Sequence, residues 1–295
     1  MTDDDRSAAD SEDLLEGAVD VHVHTAPDLV ERFQNDVELA REASAAGMAG
    51  VVVKSHVVPT VGRVDLVNDA VDEDVLYGGV ACNGTVGGLN RDAVETALEL
   101  GGKMVWLPTA WSANHASQAR AAGVERFVGQ RVPGVDEEIP VAVDGEVTAA
   151  TAEILDLAAA YDAVVGTGHA TPAEIEAVVG ACADRGVDCL VNHPCFRVVD
   201  VSLDRQERLA EMGAVMEYCA YSVASTDGHT VDRVADAIER VGPDNAVLAT
   251  DYGQAENPPV PGLGEFAKAV LDAGLDREAV RRCLVDTPTD LLDLD

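Results

Sequence analysis

The feature that most constrains this chain is an alternation repeated along its length. Short apolar runs of strand length are separated by charged, amphipathic stretches of helical period. The runs fall at 18–24, 49–56, 75–83, 103–108, 163–169, 188–193, 214–219 and 246–251. Helical patterns occupy 36–46, 91–100, 172–185, 203–212 and 231–241 between them. Asn90 before Arg91, and Thr171-Pro172 followed by Glu174, are helix-start signals. Gly47, Gly101, Gly186, Gly213 and Gly242 supply stops. Strands that alternate with helices are parallel strands joined by crossovers. Eight such units predict an α/β fold, a (β/α)8 TIM barrel. The step from Pro108 to His169 is too long for one helix. Within it, 127–146 (with Pro133, Gly134 and Pro140) reads as a loop inserted after strand four, over the barrel mouth. Residues 255–264, rich in Pro and Gly, read as a second long loop. A doubly wound open sheet is the competing architecture, but no Gly-rich phosphate loop follows the first strand.

Composition sets the boundaries. Of 295 residues, 47% are hydrophobic, enough for a packed core. Residues 1–16 read as an acidic lead-in and 17–295 as one barrel domain. The formal net charge of -34 disfavours nucleic acid and anionic membrane surfaces as partners. No apolar run approaches the ~20 residues of a membrane span. The first residues lack the basic-then-apolar layout of a secretory signal. Lysine is confined to Lys54, Lys103 and Lys268. This acid-rich, lysine-poor pattern resembles cytoplasmic proteins of extreme halophiles, where molar salt shortens screening to ~3 Å. The six cysteines form no C-x-x-C pair, so reduced, mostly buried thiols and a cytoplasmic location are expected.

Five of the seven histidines end predicted strands: His22, His24, His56, His169 and His193. In a barrel those ends converge on one mouth, where active sites lie. Successive strand residues point to opposite faces, so Asp20, His22 and His24 share one face. Val19, Val21 and Val23 would then share the helix-facing side. Lys54 and His56 have matching parity on strand two. Strand eight stops at Asp251. Neutral imidazole and carboxylate are metal ligands.

These residues resemble the amidohydrolase superfamily of metal-dependent barrel hydrolases. The carrying motifs are His22 and His24 in VDVHVH, His169 in VGTGHA, His193 in LVNHP and Asp251 in LATDYG, in strand order one, five, six, eight. The segment from Gly47 to Arg63 looks like a poorly characterised subgroup. The resemblance implies that His22, His24 and Asp251 hold one divalent ion, and that His169 and His193 hold a second. Zinc is the expected metal. A carbamylated Lys or a Glu on strand four usually bridges the pair. Here strand four ends in Thr109, so Lys54 is the candidate bridge, as a carbamate, as a neutral amine, or facing outward to grip an anion. A single-ion site on His22, His24, His169 and Asp251 stays open. Asp251 is the expected general base and acid. His56, Arg63 and Arg197 are candidates for substrate contact. Glu217 is a ligand, a support for a ligand, or an ion-pair partner of Lys54. Asp20 is a candidate acceptor behind a ligand histidine. His115 and His229 are read as loop histidines. The implied activity is hydrolysis of an amide, ester or phosphoester in a small molecule. A decarboxylase of the same superfamily and a non-catalytic metal- or ligand-binding barrel are the alternatives. The protein is expected to act on a small molecule, with a homo-oligomer open.

Overall fold

The computed structural model describes residues 14–123, 138–225 and 229–294. Its strands are β1 (Val19–Val23), β2 (Gly50–Val53), β3 (Leu76–Tyr77), β4 (Gly79–Ala81), β5 (Met104–Trp106), β6 (Ala142–Val143), β7 (Glu146–Val147), β8 (Val164–Gly166), β9 (Cys189–Val191), β10 (Val215–Cys219) and β11 (Ala246–Ala249). Each apolar run of the sequence contains one of these strands, and the run at 75–83 contains both β3 and β4. The fold is α/β with parallel sheets, one ordered β1-β2-β3 and one ordered β11-β10-β9-β8-β5-β4.

The two sheets abut at both ends. At one end the chain passes from β3 to β4 through Gly78. A Cβ there would sit 2.6 Å from the Val61 Cα, so no larger residue fits the bend. At the other end Val23 bridges Tyr252 in parallel fashion. Asp251 N–H donates to the His22 carbonyl (2.9 Å), and His24 N–H donates to the Tyr252 carbonyl (2.8 Å). Asp20 fastens the same junction. Its carboxylate accepts from His22 N–H at 3.1 Å, Thr250 N–H at 3.2 Å and the Thr250 hydroxyl at 2.6 Å. Burial pushes the Asp20 carboxyl up to about 7, against those hydrogen bonds.

Helices cover the sheets, and their starts follow local chemistry. Asn35 and Glu38 form a capping box for Asp36–Ala45, and Thr171 and Glu174 form one for Pro172–Ala183. Asn90 caps Arg91–Glu99. The stretch expected as a second long loop turns helical at Pro259, because prolines are accepted in a first helical turn.

The core has two parts. A large cluster joins the strands to the helices and includes Leu39, Val51, Val53, Val105, Ile154 and Val178. An inner cluster draws on both parallel sheets, including Val19, Val21, Val52, Met104, Trp106 and Leu190, with Leu291 and Leu292 of the final helix against it. Val19 and Val21 therefore do not share the helix-facing side with Val23, as strict alternation predicts. The β1–β2 register shifts between Asp20 and Val23. One extra residue there reverses the parity, so Val23 faces the helices while His22 and His24 still face inward.

Leu14 and Leu15, assigned to the acidic lead-in, are buried in the large cluster. The rest of that lead-in (1–13) lies outside the described residues. So do residues 127–137 of the expected inserted loop. Its described remainder contains β6 and the start of β7, which pair antiparallel. All six cysteines are unpaired and buried. No helix among the described residues is long and apolar enough to cross a membrane.

Candidate metal centre

His22 lies near the end of β1, His24 just beyond it, and Asp251 just after β11, so the junction of the first and last strands brings the three together. His22 Nε2 lies 3.1 Å from Asp251 Oδ1, and His24 Nε2 lies 3.2 Å from the same oxygen. Tetrahedral ligands about 2.0–2.2 Å from one ion sit about 3.3–3.6 Å apart, so these separations come within a few tenths of an ångström of those around a shared divalent ion. The three form a group able to hold a metal. Burial drives the His24 pKa well below the usual imidazole range, with Arg32 adding to the effect, so the ring is kept neutral as a ligand must be.

Lys54 faces inward, which rules out the outward-facing reading. Its Nζ is 3.1 Å from His22 Nε2 and 5.4 Å from the Trp106 ring centroid. Burial lowers its pKa, and Asp251 and Glu217 pull it partly back.

Glu217 sits behind the histidines. Oε1 is 3.2 Å from His22 Nδ1. Oε2 accepts from Asn192 Nδ2 and His193 N–H, each at 3.1 Å, and from the Cys219 thiol at 3.4 Å. Burial alone would raise its pKa. Interaction with His22, including its hydrogen bond, then with His193 and Lys54, outweighs that and holds the carboxylate well below its usual range. With Nδ1–H bonded to Glu217, His22 keeps the Nε2 lone pair toward Asp251. Glu217, Cys219, His22 and His193 form a second group able to hold a metal. The carboxylate that meets the His22 ring is Glu217; the partners of Asp20 are the N–H groups of His22 and Thr250 and the Thr250 hydroxyl.

His193 lies with its Nδ1 3.5 Å from Glu217 Oε2 and 3.7 Å from Asp251 Oδ2. Burial lowers its pKa to about 4. Its Nε2 is buried without a hydrogen-bond partner. An orphaned buried imidazole nitrogen is costly unless an ion or ligand meets it, so the donor set fits a metal. His193 (φ +30°) and Asp251 (φ +52°) both adopt left-handed backbone, with about 1–3 kcal/mol of strain each concentrated here.

His169 is placed beside this group, its ring 5.1 Å from that of His193. Its ring partner is His115, expected in a loop and found in a helix, whose Nδ1 is 2.6 Å from His169 Nδ1. His56 stacks on His24 at 4.8 Å and meets the Thr109 hydroxyl at 2.9 Å. Arg63 is engaged elsewhere. It pairs with Asp36 at 2.9 Å and donates to Thr25 Oγ1 and the Pro27 carbonyl, a structural anchor for the loop after β1. Arg197 is exposed; its charge opposes the upward shift that burial and Asp251 impose on the Tyr221 hydroxyl. Arg32 was missed by sequence. Its side chain is nearly buried, held by Asp28 at 2.7 Å, and its charge depresses both His24 and His56. An arginine in a loop carries no signal of its own.

The family model described as a family of unknown function (DUF6282) matches residues 17–217. The chain belongs to that family. The matched span contains His22, His24, Lys54, His115, His169, His193 and Glu217, while Asp251 lies beyond it. No curated protein matches the chain. Among solved structures, an amidohydrolase from Pseudomonas aeruginosa gives a TM-score of 0.62 at 12% identity, covering 98% of each chain. The probable dipeptidase PvdM from the same organism gives 0.65 at 8% identity, also covering 98% of each. A 2,6-dihydroxybenzoate decarboxylase from Rhizobium gives 0.54 at 11%, covering 95% of this chain and 99% of that one. The DUF6282 chain has the fold of amidohydrolase-superfamily proteins.

Proposed function

We propose that the protein is a metal-dependent hydrolase of small molecules. In this reading the two sheets form one ring, a (β/α)8 barrel, with the histidine cluster at its C-terminal mouth. The observation that carries the reading is the placement of His22 Nε2 and His24 Nε2 3.1 and 3.2 Å from the same oxygen, Asp251 Oδ1, with the three residues' ligand atoms within 4.8 Å of one another. These residues would hold a divalent ion, and zinc suits an imidazole-rich set with one carboxylate. When bound, the ion supplies Lewis acidity, lowering the pKa of a water and polarising a substrate oxygen.

The chain's own groups do the rest. Glu217 fixes the His22 tautomer. Asp251, whose Oδ2 lies 3.7 Å from His193 Nδ1, takes a proton and returns it to the leaving group. Lys54 acts as a carbamate, because an ammonium 3.1 Å from a ligand nitrogen would repel a cation. His56 and Arg197 contact substrate, and Arg32 joins them as a fixed positive charge that favours an anionic substituent. Cytoplasmic location, adaptation to high salt and a small-molecule partner belong to the same proposal.

A decarboxylase is the second reading. It is favoured by Thr109 at the tip after β5, where no acid bridges two ions, and one ion suffices for that chemistry. The test is metal analysis of protein purified in high salt, with His22→Ala, Asp251→Asn and Lys54→Ala. It is joined to a screen of amides, esters, lactones and phosphoesters, with carbon dioxide release followed in parallel. Metal lost in the first two variants together with hydrolytic turnover supports the proposal. Carbon dioxide release without hydrolysis selects the second reading. Tight metal without any turnover favours a binding protein.

A further inference from the structure

We propose that Cys219, Glu217 and His193 hold a metal ion of their own, in a thiolate-bearing site beneath the one formed by His22, His24 and Asp251. This goes beyond the reading above, which needs no ion there, and the test reads the two ions separately.

Strand β10 reads Val-Met-Glu-Tyr-Cys, and alternate residues face opposite sides. Met216 and Tyr218 enter the large cluster toward the helices, while Val215 and Cys219 meet the inner one. Glu217 stands between the last two and shares their face. On neighbouring β9 the chain turns left-handed just past the strand, at His193 (φ +30°), and the His193 N–H donates to Glu217 Oε2 at 3.1 Å. A thiol, a carboxylate and an imidazole are thus brought together, 1%, 0% and 2% exposed. With His22 they form one of the two groups among the described residues whose ligand atoms all lie within 4.8 Å of one another. His169, to which the family resemblance joins His193, belongs to neither group.

The separations match a coordination sphere. His193 Nδ1 is 3.5 Å from Glu217 Oε2, and Cys219 Sγ is 3.4 Å from that oxygen and 3.8 Å from His193 Nδ1. Around a tetrahedral zinc, with bonds of about 2.0–2.1 Å to nitrogen and oxygen and about 2.3 Å to sulfur, the N···O edge is about 3.4 Å and the edges to sulfur about 3.6 Å. All three observed edges fall within about 0.3 Å of these. His22 stays outside the sphere, because its Nδ1–H is given to Glu217 Oε1 at 3.2 Å and its Nε2 faces Asp251. Glu217 therefore serves both sites, one through each oxygen. Of the contacts to Oε2, an ion replaces only the thiol hydrogen, which leaves as a proton when the Cys219–metal bond forms. Thiolate with imidazole favours zinc or cobalt over magnesium or calcium. With its ligands buried, this ion acts on structure, tying the turn after β9 to β10.

The test is metal counting and near-ultraviolet absorption of full-length protein, stripped and reloaded with Co²⁺. It compares wild type with Cys219→Ala, His24→Ala and Asp251→Asn, and circular dichroism verifies the fold. A cobalt–thiolate bond gives a charge-transfer band that imidazole and carboxylate ligands do not. Expected are two ions and the band in the wild type, one ion and no band in Cys219→Ala, and one ion with the band kept in His24→Ala. A wild type without the band overturns the proposal, whether or not the variants fold. So does a folded Cys219→Ala protein that keeps the band or both ions. A wild type holding one bandless ion that Asp251→Asn removes overturns this inference and leaves the metal-dependent reading standing. One ion with the band, unchanged in His24→Ala and Asp251→Asn, supports this inference and overturns that reading. A wild type holding none overturns both.

Discussion

Replacing Glu217 with Gln changes almost no volume and isolates one function of the carboxylate. Glu217 accepts on both oxygens: from His22 Nδ1–H on one side, and from Asn192 Nδ2 and His193 N–H on the other. An amide has one acceptor and one donor. If its NH2 faces Asn192 and His193, two buried donors lose their acceptor at about 1–3 kcal/mol each. If its NH2 faces His22, only the His22 proton must move, from Nδ1 to Nε2. The second arrangement costs less and wins. Nε2 then carries a hydrogen where it meets Asp251 Oδ1, and cannot coordinate an ion. Losing such an orienting partner typically weakens metal binding about 10–100-fold, or roughly 1.4–2.7 kcal/mol. Competition with a chromophoric chelator at neutral pH measures this directly, with a thermal melt of the stripped protein as control. A folded Glu217→Gln protein that binds its first ion within about two-fold of wild type would refute the tautomer argument.

Four further outcomes follow from the same geometry. His24, His56, His169 and His193 all have pKa values depressed by burial, so the unfolded chain binds more protons than the folded one below about pH 6.5. Asp20, raised to about 7, offsets one of the four. Stability of the stripped protein should fall with increasing steepness as pH drops from 6.5 toward 5, by about 1.4 kcal/mol per pH unit for each net proton the unfolded chain binds in excess, and a Tm flat across that range would contradict the buried neutral cluster. Gly253→Ala should abolish folding, because a Cβ at φ +115° would lie 1.7 Å from the His24 carbonyl oxygen; wild-type soluble yield and Tm would show that this approach is not obligatory. Arg63→Ala should destabilise by about 3–5 kcal/mol by leaving buried Asp36 unpaired, with metal content unchanged; an unaltered Tm with lost substrate affinity would return Arg63 to the binding site. With a net charge of -34, Tm should rise steeply from 0.1 M to molar KCl, and salt-independent melting would remove the case for a halophilic surface.

Much of the fold was legible because strand runs and helix caps are local signals. Thr171-Pro172 with Glu174 announces a helix in four residues, and the helix begins at Pro172. The β1 bulge was not legible. A period-two reading has no term for an extra residue, so it assigned Val19 and Val21 to the wrong layer. His22 and His24 face inward all the same, because the register shifts between Asp20 and Val23 and the parity differs on its two sides. Leu14 and Leu15 were masked by acidic neighbours, although burial is decided by side chain and not by local average. The inward histidines and Asp251 were legible as strand ends. The choice among the three roles open to Glu217, and the partners of His115 and Arg63, were not, because each depends on a residue far away in sequence. Glu217 meets His22 across 195 positions, and no spacing rule reaches that far.

The junction of β1 and β11 is the element on which both fold and site depend. Asp20 ties Thr250 to the start of His22, and Gly253 lets the chain pass against the His24 carbonyl. These contacts join the ends of the two sheets, and they also set Asp251 within 3.2 Å of both ring nitrogens. Asp251 reaches that position only by adopting left-handed backbone, and the hydrogen bond from its N–H to the His22 carbonyl holds it there. A perturbation that loosens the junction should therefore lower stability and metal affinity together. A change confined to the Glu217 side chain should separate the two, since its backbone pairing with Val247 is kept.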